Sequence, residues 1–172
     1  MPDMPSPALP PSALPPSALP LSALPPSRLP MLDPIYARLQ PLAYPLVRVV
    51  TGAFLMPHGA QKLFGFAGGD IGATAAGFAR LGLQPSLPLS YLVGATEFFG
   101  GLCIVLGVFT RPAALACAIL LGVAALLVHL PIGWFWTGRG MEYPLLWMLL
   151  CIAVAMRGSG PLSVDAARGR DG

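Results

Sequence analysis

Charged residues are scarce in this chain, and their scarcity excludes an ordinary soluble domain. Only 10% of the 172 residues are charged and 55% are hydrophobic, whereas a soluble domain carries about 25% charged residues. Because so few charges cannot cover a water-soluble fold of this length, we expect the chain to lie in a membrane. The ten basic residues form no long run, which argues against nucleic acid as a partner.

Cysteine pairs and catalytic signatures are also missing. Cys103, Cys117 and Cys151 lie in apolar stretches and form no CxxC pair, so we predict small core residues and neither a disulfide framework nor a metal site. The chain has no Gly-rich phosphate loop, Ser/His/Asp grouping or HExxH motif, and its catalytic residues stay unassigned. The first thirty residues contain no continuous apolar core, so no secretory signal is predicted.

Proline, by contrast, is concentrated at the start of the chain. A Ser-Ala-Leu-Pro-Pro unit recurs between Ser12 and Pro26. Each proline removes a backbone donor and fixes its own φ, so we predict a disordered Pro-rich tail over residues 1–33. The composition changes at Met31, and a second hypothesis is that translation begins there.

Apolar segments after the tail predict an all-α, integral membrane four-helix bundle over residues 42–158. Arg48 and Lys62 lie about 21 Å apart along the first segment and can snorkel to its two edges. A short interfacial helix is expected between about Gly65 and Ser86, and residues 159–172 form a C-terminal tail. The four spans cover about 42–64, 87–109, 112–133 and 142–158.

Basic residues outside the spans predict the orientation. Four crossings place both termini on one side, and that side holds six of the basic residues against three on the other. The positive-inside rule then puts both termini in the cytoplasm. The six are Arg28, Arg38, Arg111, Arg157, Arg168 and Arg170, and the three are Lys62, Arg80 and Arg139.

Ionisable side chains within the spans are the candidates for function. Such groups cost about 2.5–3.5 kcal/mol each on insertion scales, so each needs a partner or a purpose. Glu97 lies near the middle of its span and shares a face with Ser90, Gly94 and Gly101, which should turn it into the bundle. The ligand-binding or proton-handling candidates are Arg48, His58, Lys62, Glu97, His129 and Glu142.

Structural explanations compete with each functional one. Glu97 could be a protonated packing residue or the partner of Arg48, and His58 a hydrogen-bonded packing residue beside Pro57. Arg48 and Lys62 could be snorkelling anchors. Glu142 could serve as a helix cap, because a carboxylate near a helix N-terminus is stabilised by the helix dipole.

Several short motifs, taken in order, resemble the DoxX family of small bacterial membrane proteins over about Pro45 to Asp165. They include Arg48, the His-Gly-Ala-Gln-Lys stretch from His58 to Lys62, Glu97 with Gly100 and Gly101, the Leu106-Gly107 to Thr110-Arg111 turn, His129, Glu142 and the Gly158–Asp165 segment.

This resemblance implies a four-helix protein of the bacterial cytoplasmic membrane that takes part in quinone-linked electron transfer. Because the chain has no cysteine pair or flavin motif, we expect a membrane subunit that binds quinone near Glu97, His58 and Arg48 for redox partner proteins. A small proton-coupled transporter and a structural or assembly role are the alternatives. Small-residue faces are compatible with a homo-oligomer.

Overall fold

The computed structural model describes residues 29–170, and all regular secondary structure in that range is helical. Contacts divide the chain into two units, Met1–Pro41 and Leu42–Gly172, and the candidate site lies in the second. Up to residue 28, the predicted Pro-rich tail falls outside the described residues. A 3-10 turn then covers Pro30–Leu32.

Six α-helices follow. The first begins nine residues before the predicted boundary at residue 42, because Pro34 lies in its first turn, where the fixed φ of proline suits a helix and no partner is needed for the missing N–H; the helix then continues through Pro41. The expected short helix between the first two spans is confirmed as α2. The helices are α1 (Asp33–Phe64), α2 (Ile71–Arg80), α3 (Ser86–Leu106), α4 (Thr110–His129), α5 (Glu142–Arg157) and α6 (Val164–Ala167).

Three of these helices, α1, α3 and α4, are long and apolar enough to cross a bilayer. The 16 residues of α5 span about 24 Å, less than the hydrocarbon thickness of about 30 Å. An all-helical membrane protein with three such helices therefore follows from the structure, and a fourth crossing remains a proposal.

Large apolar side chains cover the outside of the helices. Phe54, Ile119 and Met156 are 59%, 61% and 77% exposed. Helices with hydrophobic outer faces suit a lipid environment. Their apolar side chains can face the lipid, and the helix pairs its own backbone polar groups.

The buried core of α4 and α5 is built from small side chains. Cys117 on α4 and Cys151 on α5 are 1% and 0% exposed and pack with Ala118, Leu121 and Val154. The prediction that these two cysteines are core residues is confirmed. Cys103 on α3 is only partly buried.

Glycines allow α1 and α3 to pack with their backbones in contact. A Cβ on Gly52 would lie 2.4 Å from the Gly101 oxygen, and one on Gly59 would lie 2.4 Å from the Phe98 nitrogen and 2.6 Å from the Gly94 oxygen. The two helices run antiparallel along this contact of Gly52 and Gly59 with Gly101 and Gly94, which we call the glycine seam. The predicted small-residue face of Ser90, Gly94, Glu97 and Gly101 is confirmed, since all four are buried.

The Gly59→Ala variant should destabilise the protein by about 1–3 kcal/mol, because the new methyl group meets rigid backbone of α3. Thermal unfolding in mild detergent measures the effect. Gly77→Ala on α2 is the matched control, since the nearest atom to its Cβ is the Arg80 Nη2 at 3.9 Å. Equal melting temperatures for the two variants would contradict the close approach of α1 and α3.

Candidate functional site

An ion pair joins α1 to α3 at the end of the glycine seam where Gly59 meets Gly94. Lys62 Nζ donates to Glu97 Oε2 at 2.6 Å and to the His58 carbonyl at 3.2 Å. The side chains of Lys62 and Glu97 are only 19% and 11% exposed. Because a mostly buried carboxylate needs a partner, Lys62 provides the charge that keeps Glu97 inside the bundle.

A cavity of about 320 Å³ opens beside this ion pair, between α1, α3, α4, α5 and the segment that joins α4 to α5. Its polar wall combines two cations, one carboxylate and two imidazoles. Its apolar wall combines aliphatic side chains with three aromatic ones. The polar lining residues are His58, Lys62, Glu97, His129 and Arg139, and the aromatic ones are Trp136, Tyr143 and Trp147.

Two hydrogen bonds hold the segment between α4 and α5 over the cavity. His129 Nδ1 donates to the Arg139 carbonyl at 2.7 Å, because a carbonyl can only accept. The Trp136 amide donates to Glu142 Oε2 at 3.0 Å. The Trp136 ring stacks on Tyr143 with the ring centres 5.1 Å apart. Glu142 therefore positions the wall of the cavity without lining it.

Both Glu97 and His129 lie in wider, π-helical turns. The first covers Thr96–Gly100 within α3, and the second covers Ala124–His129 at the end of α4. Such turns leave some carbonyls without their usual partner, and the Cys117 thiol donates to the Thr96 carbonyl at 3.5 Å. Local departures of this kind are frequent at functional sites.

Arg48 lies at the opposite end of the seam, where it is 1% exposed. Its Nη1 donates to the carbonyls of Ile104 and Val105 at 3.2 and 3.3 Å, and its Nη2 to that of Leu162 at 2.7 Å. These acceptors include carbonyls from the last turn of α3, which attract a cation. Arg48 thus fastens the chain after α5 to the end of α3.

A glycine makes room for this arginine. Gly107 ends α3 with φ +68°, and a Cβ there would lie 2.0 Å from Arg48 Nη1. The Asp165 amide donates to the Gly107 carbonyl at 2.9 Å. Part of the predicted C-terminal tail therefore packs against the helices, and Ser159, Ser163 and Asp165 are all buried.

The structure brings four of the six candidate residues to one cavity: His58, Lys62, Glu97 and His129. Glu142 does not line that cavity, but its carboxylate accepts the hydrogen bond that positions Trp136 in the wall. The structural alternative that pairs Glu97 with Arg48 is wrong, because the contact between α1 and α3 places Lys62 opposite Glu97 and leaves Arg48 among carbonyls. Arg48 is also no snorkelling anchor, since its side chain is buried.

Residue patterns alone did not single out the remaining wall of the cavity. Tyr143 and Trp147 lie four residues apart on α5 and share one face of the helix, a spacing that could have indicated them. Trp136 and Arg139 lie in a segment without regular periodicity. Their place in the wall depends on the bonds to Glu142 and His129.

Comparison with known proteins finds one matching family and a distant relative. The DoxX family model matches residues 44–130. A Bacillus subtilis (strain 168) protein named "Putative oxidoreductase CatD" is 32% identical over 120 residues, which cover 70% of this chain and 82% of that protein. No solved structure matches the chain significantly. Of the six candidate residues, five fall within the matched range, and Glu142 follows it.

The Lys62→Met variant should lose about 3–5 kcal/mol of stability, because it leaves the Glu97 carboxylate mostly buried without its cation. Thermal unfolding in mild detergent measures the loss. The Lys62→Met/Glu97→Gln double variant should recover part of it, and Arg80→Gln, at the end of α2, should stay close to wild type. Additive losses in the double variant would contradict direct coupling of Lys62 and Glu97.

Proposed function

The chain belongs to the DoxX family, and on that premise we propose that it is a membrane subunit of an oxidoreductase system and binds a quinone beside Lys62 and Glu97. The observation that carries this proposal is the buried ion pair at the wall of an aromatic cavity. The oxidoreductase name of the Bacillus relative supports the reaction class.

The chemistry of the cavity suits a quinone. Quinone carbonyls accept hydrogen bonds, and Lys62, Arg139 and the His58 imidazole supply donors in one wall, whereas His129 already donates its Nδ1 proton to the Arg139 carbonyl. Trp136, Tyr143 and Trp147 offer flat apolar surfaces for a ring. Arg48 is not part of the proposed site, because it does not line the cavity and lies at the other end of the contact between α1 and α3.

Glu97 and Lys62 take the role of proton handling in this proposal. Two-electron reduction of a quinone to a quinol takes up two protons, and the redox partner protein supplies the electrons. In each of the two proton transfers, the Lys62 ammonium group donates a proton to a quinone oxygen, and Lys62 regains a proton through Glu97, which takes it up from the cavity. The separation of Lys62 and Glu97, 2.6 Å, allows a proton to move between them without a change of backbone.

We further propose a four-crossing arrangement in the bacterial cytoplasmic membrane, with both termini in the cytoplasm. In this arrangement α5 crosses beside α4, against which it packs. Arg111 at the start of α4 and Arg157 at the end of α5 then face the cytoplasm, in keeping with the positive-inside rule. A redox partner protein and a second copy of the chain are the proposed associations.

A proton-coupled transporter is the second candidate, because a titratable pair at membrane depth also suits an ion pathway. Purified protein in liposomes distinguishes the two. Solute flux that depends on a pH gradient and is lost in Glu97→Gln would favour transport over the quinone role. A structural or assembly role would instead leave partner activity insensitive to substitution of all six candidate residues.

Titration with a short-chain quinone should quench the fluorescence of purified protein, because Trp136 and Trp147 line the cavity. The Glu97→Gln variant should bind about tenfold more weakly, since it removes the charge that holds the Lys62 donor in the wall. Arg80→Gln should bind as wild type does. Equal affinity in wild type and Glu97→Gln would remove Glu97 from the binding site.

A further inference from the structure

Positive charge gathers at the end of the molecule opposite the cavity. Arg111 begins α4 and Arg157 ends α5, whereas the cavity lies near the end of α4 and the start of α5. Within residues 42–170, this end carries five arginines and one carboxylate, Asp165, a net charge of +4 (5 − 1). The arginines are Arg48, Arg111, Arg157, Arg168 and Arg170.

Two of these arginines are held side by side. The Arg157 guanidinium lies over the Tyr44 ring, 5.0 Å from its centre. The Tyr44 hydroxyl donates to the Gly158 carbonyl. The Arg111 guanidinium packs against the same glycine, because a Cβ on Gly158 would lie 2.8 Å from Arg111 Nε. Arg111 and Arg157 therefore both lie beside Gly158, where Tyr44 also binds.

Neither arginine has an acidic partner in the described part of the chain, where Lys62–Glu97 is the ion pair formed. Asp165 is 5% exposed and belongs to the segment that Arg48 fastens. Arg111 and Arg157 are both exposed. Two guanidinium groups therefore face the surroundings, and neither donates a hydrogen bond within the described residues, which leaves their donors free for an anion.

The surface next to the two arginines is apolar. Leu115, one turn from Arg111 on α4, is 54% exposed, and Met156, which precedes Arg157, is 77% exposed. A ligand that contacts both the arginines and this surface needs an anionic head and a hydrocarbon chain. A phospholipid has both, and arginine binds phosphate oxygens in a bidentate way.

We propose that Arg111 and Arg157 form a binding site for the phosphate of an anionic phospholipid in the leaflet at this end of the protein. Tyr44 and Gly158 position the two guanidinium groups, and the neighbouring faces of α4 and α5 contact the acyl chains. A basic pocket between membrane helices is a known mode of headgroup recognition. The site is independent of the cavity and of any redox role.

The test adds phosphatidylglycerol or phosphatidylcholine to the full chain in neutral detergent and follows thermal unfolding against lipid concentration. Wild type should be stabilised by phosphatidylglycerol and much less by phosphatidylcholine. Each of the variants Arg111→Gln and Arg157→Gln should bind phosphatidylglycerol about fivefold more weakly. Arg80→Gln, which removes an exposed arginine from α2, should respond as wild type does.

Several outcomes would overturn the site. Equal phosphatidylglycerol affinity in wild type and both glutamine variants would show that lipid binds elsewhere. Equal stabilisation by inorganic phosphate alone would indicate a free-phosphate site. Arg111→Lys and Arg157→Lys keep the charge but lose the bidentate geometry, so, with normal helical content, they should bind phosphatidylglycerol with an affinity between those of wild type and the glutamine variants. Wild-type affinity in both lysine variants would contradict bidentate binding of the phosphate by the two arginines.

Discussion

The backbone contact between α1 and α3 determines where Lys62, Glu97 and Arg48 lie. Gly52 and Gly59 on α1 meet Gly101 and Gly94 on α3, with no room for a side chain between them. This contact fixes the register of two antiparallel helices. It places Lys62 opposite Glu97 at one end and Arg48 beside the last carbonyls of α3 at the other.

The two ends of the seam have different chemistry because their cations have different partners. Arg48 donates from Nη1 and Nη2 to three carbonyls and is buried, so it stabilises the turn of the chain after α5. Lys62 binds a carboxylate that lines an open cavity with two imidazoles and three aromatic rings. Only the second arrangement leaves groups free to bind a ligand, which is why we assign function there.

Much of this architecture follows from residue patterns. Apolar length predicts the helices, and the spacing of small residues predicts the face of α3 that meets α1. The partner of Glu97 was not predictable, because the first span carries both Arg48 and Lys62, and the position of α3 along α1 decides which of the two cations lies opposite Glu97. The positions of Trp136 and Arg139 were not predictable either, since hydrogen bonds of a segment without regular periodicity place them.

The central claim is that the cavity beside Lys62 and Glu97 holds a quinone in the native membrane. Its most direct test is organic extraction of protein purified in mild detergent, with quinone quantified against protein and a Lys62→Met/Glu97→Gln preparation extracted in parallel. The account predicts near-stoichiometric quinone in wild type and little in the variant. Equal quinone in both preparations, or none in wild type, would contradict it.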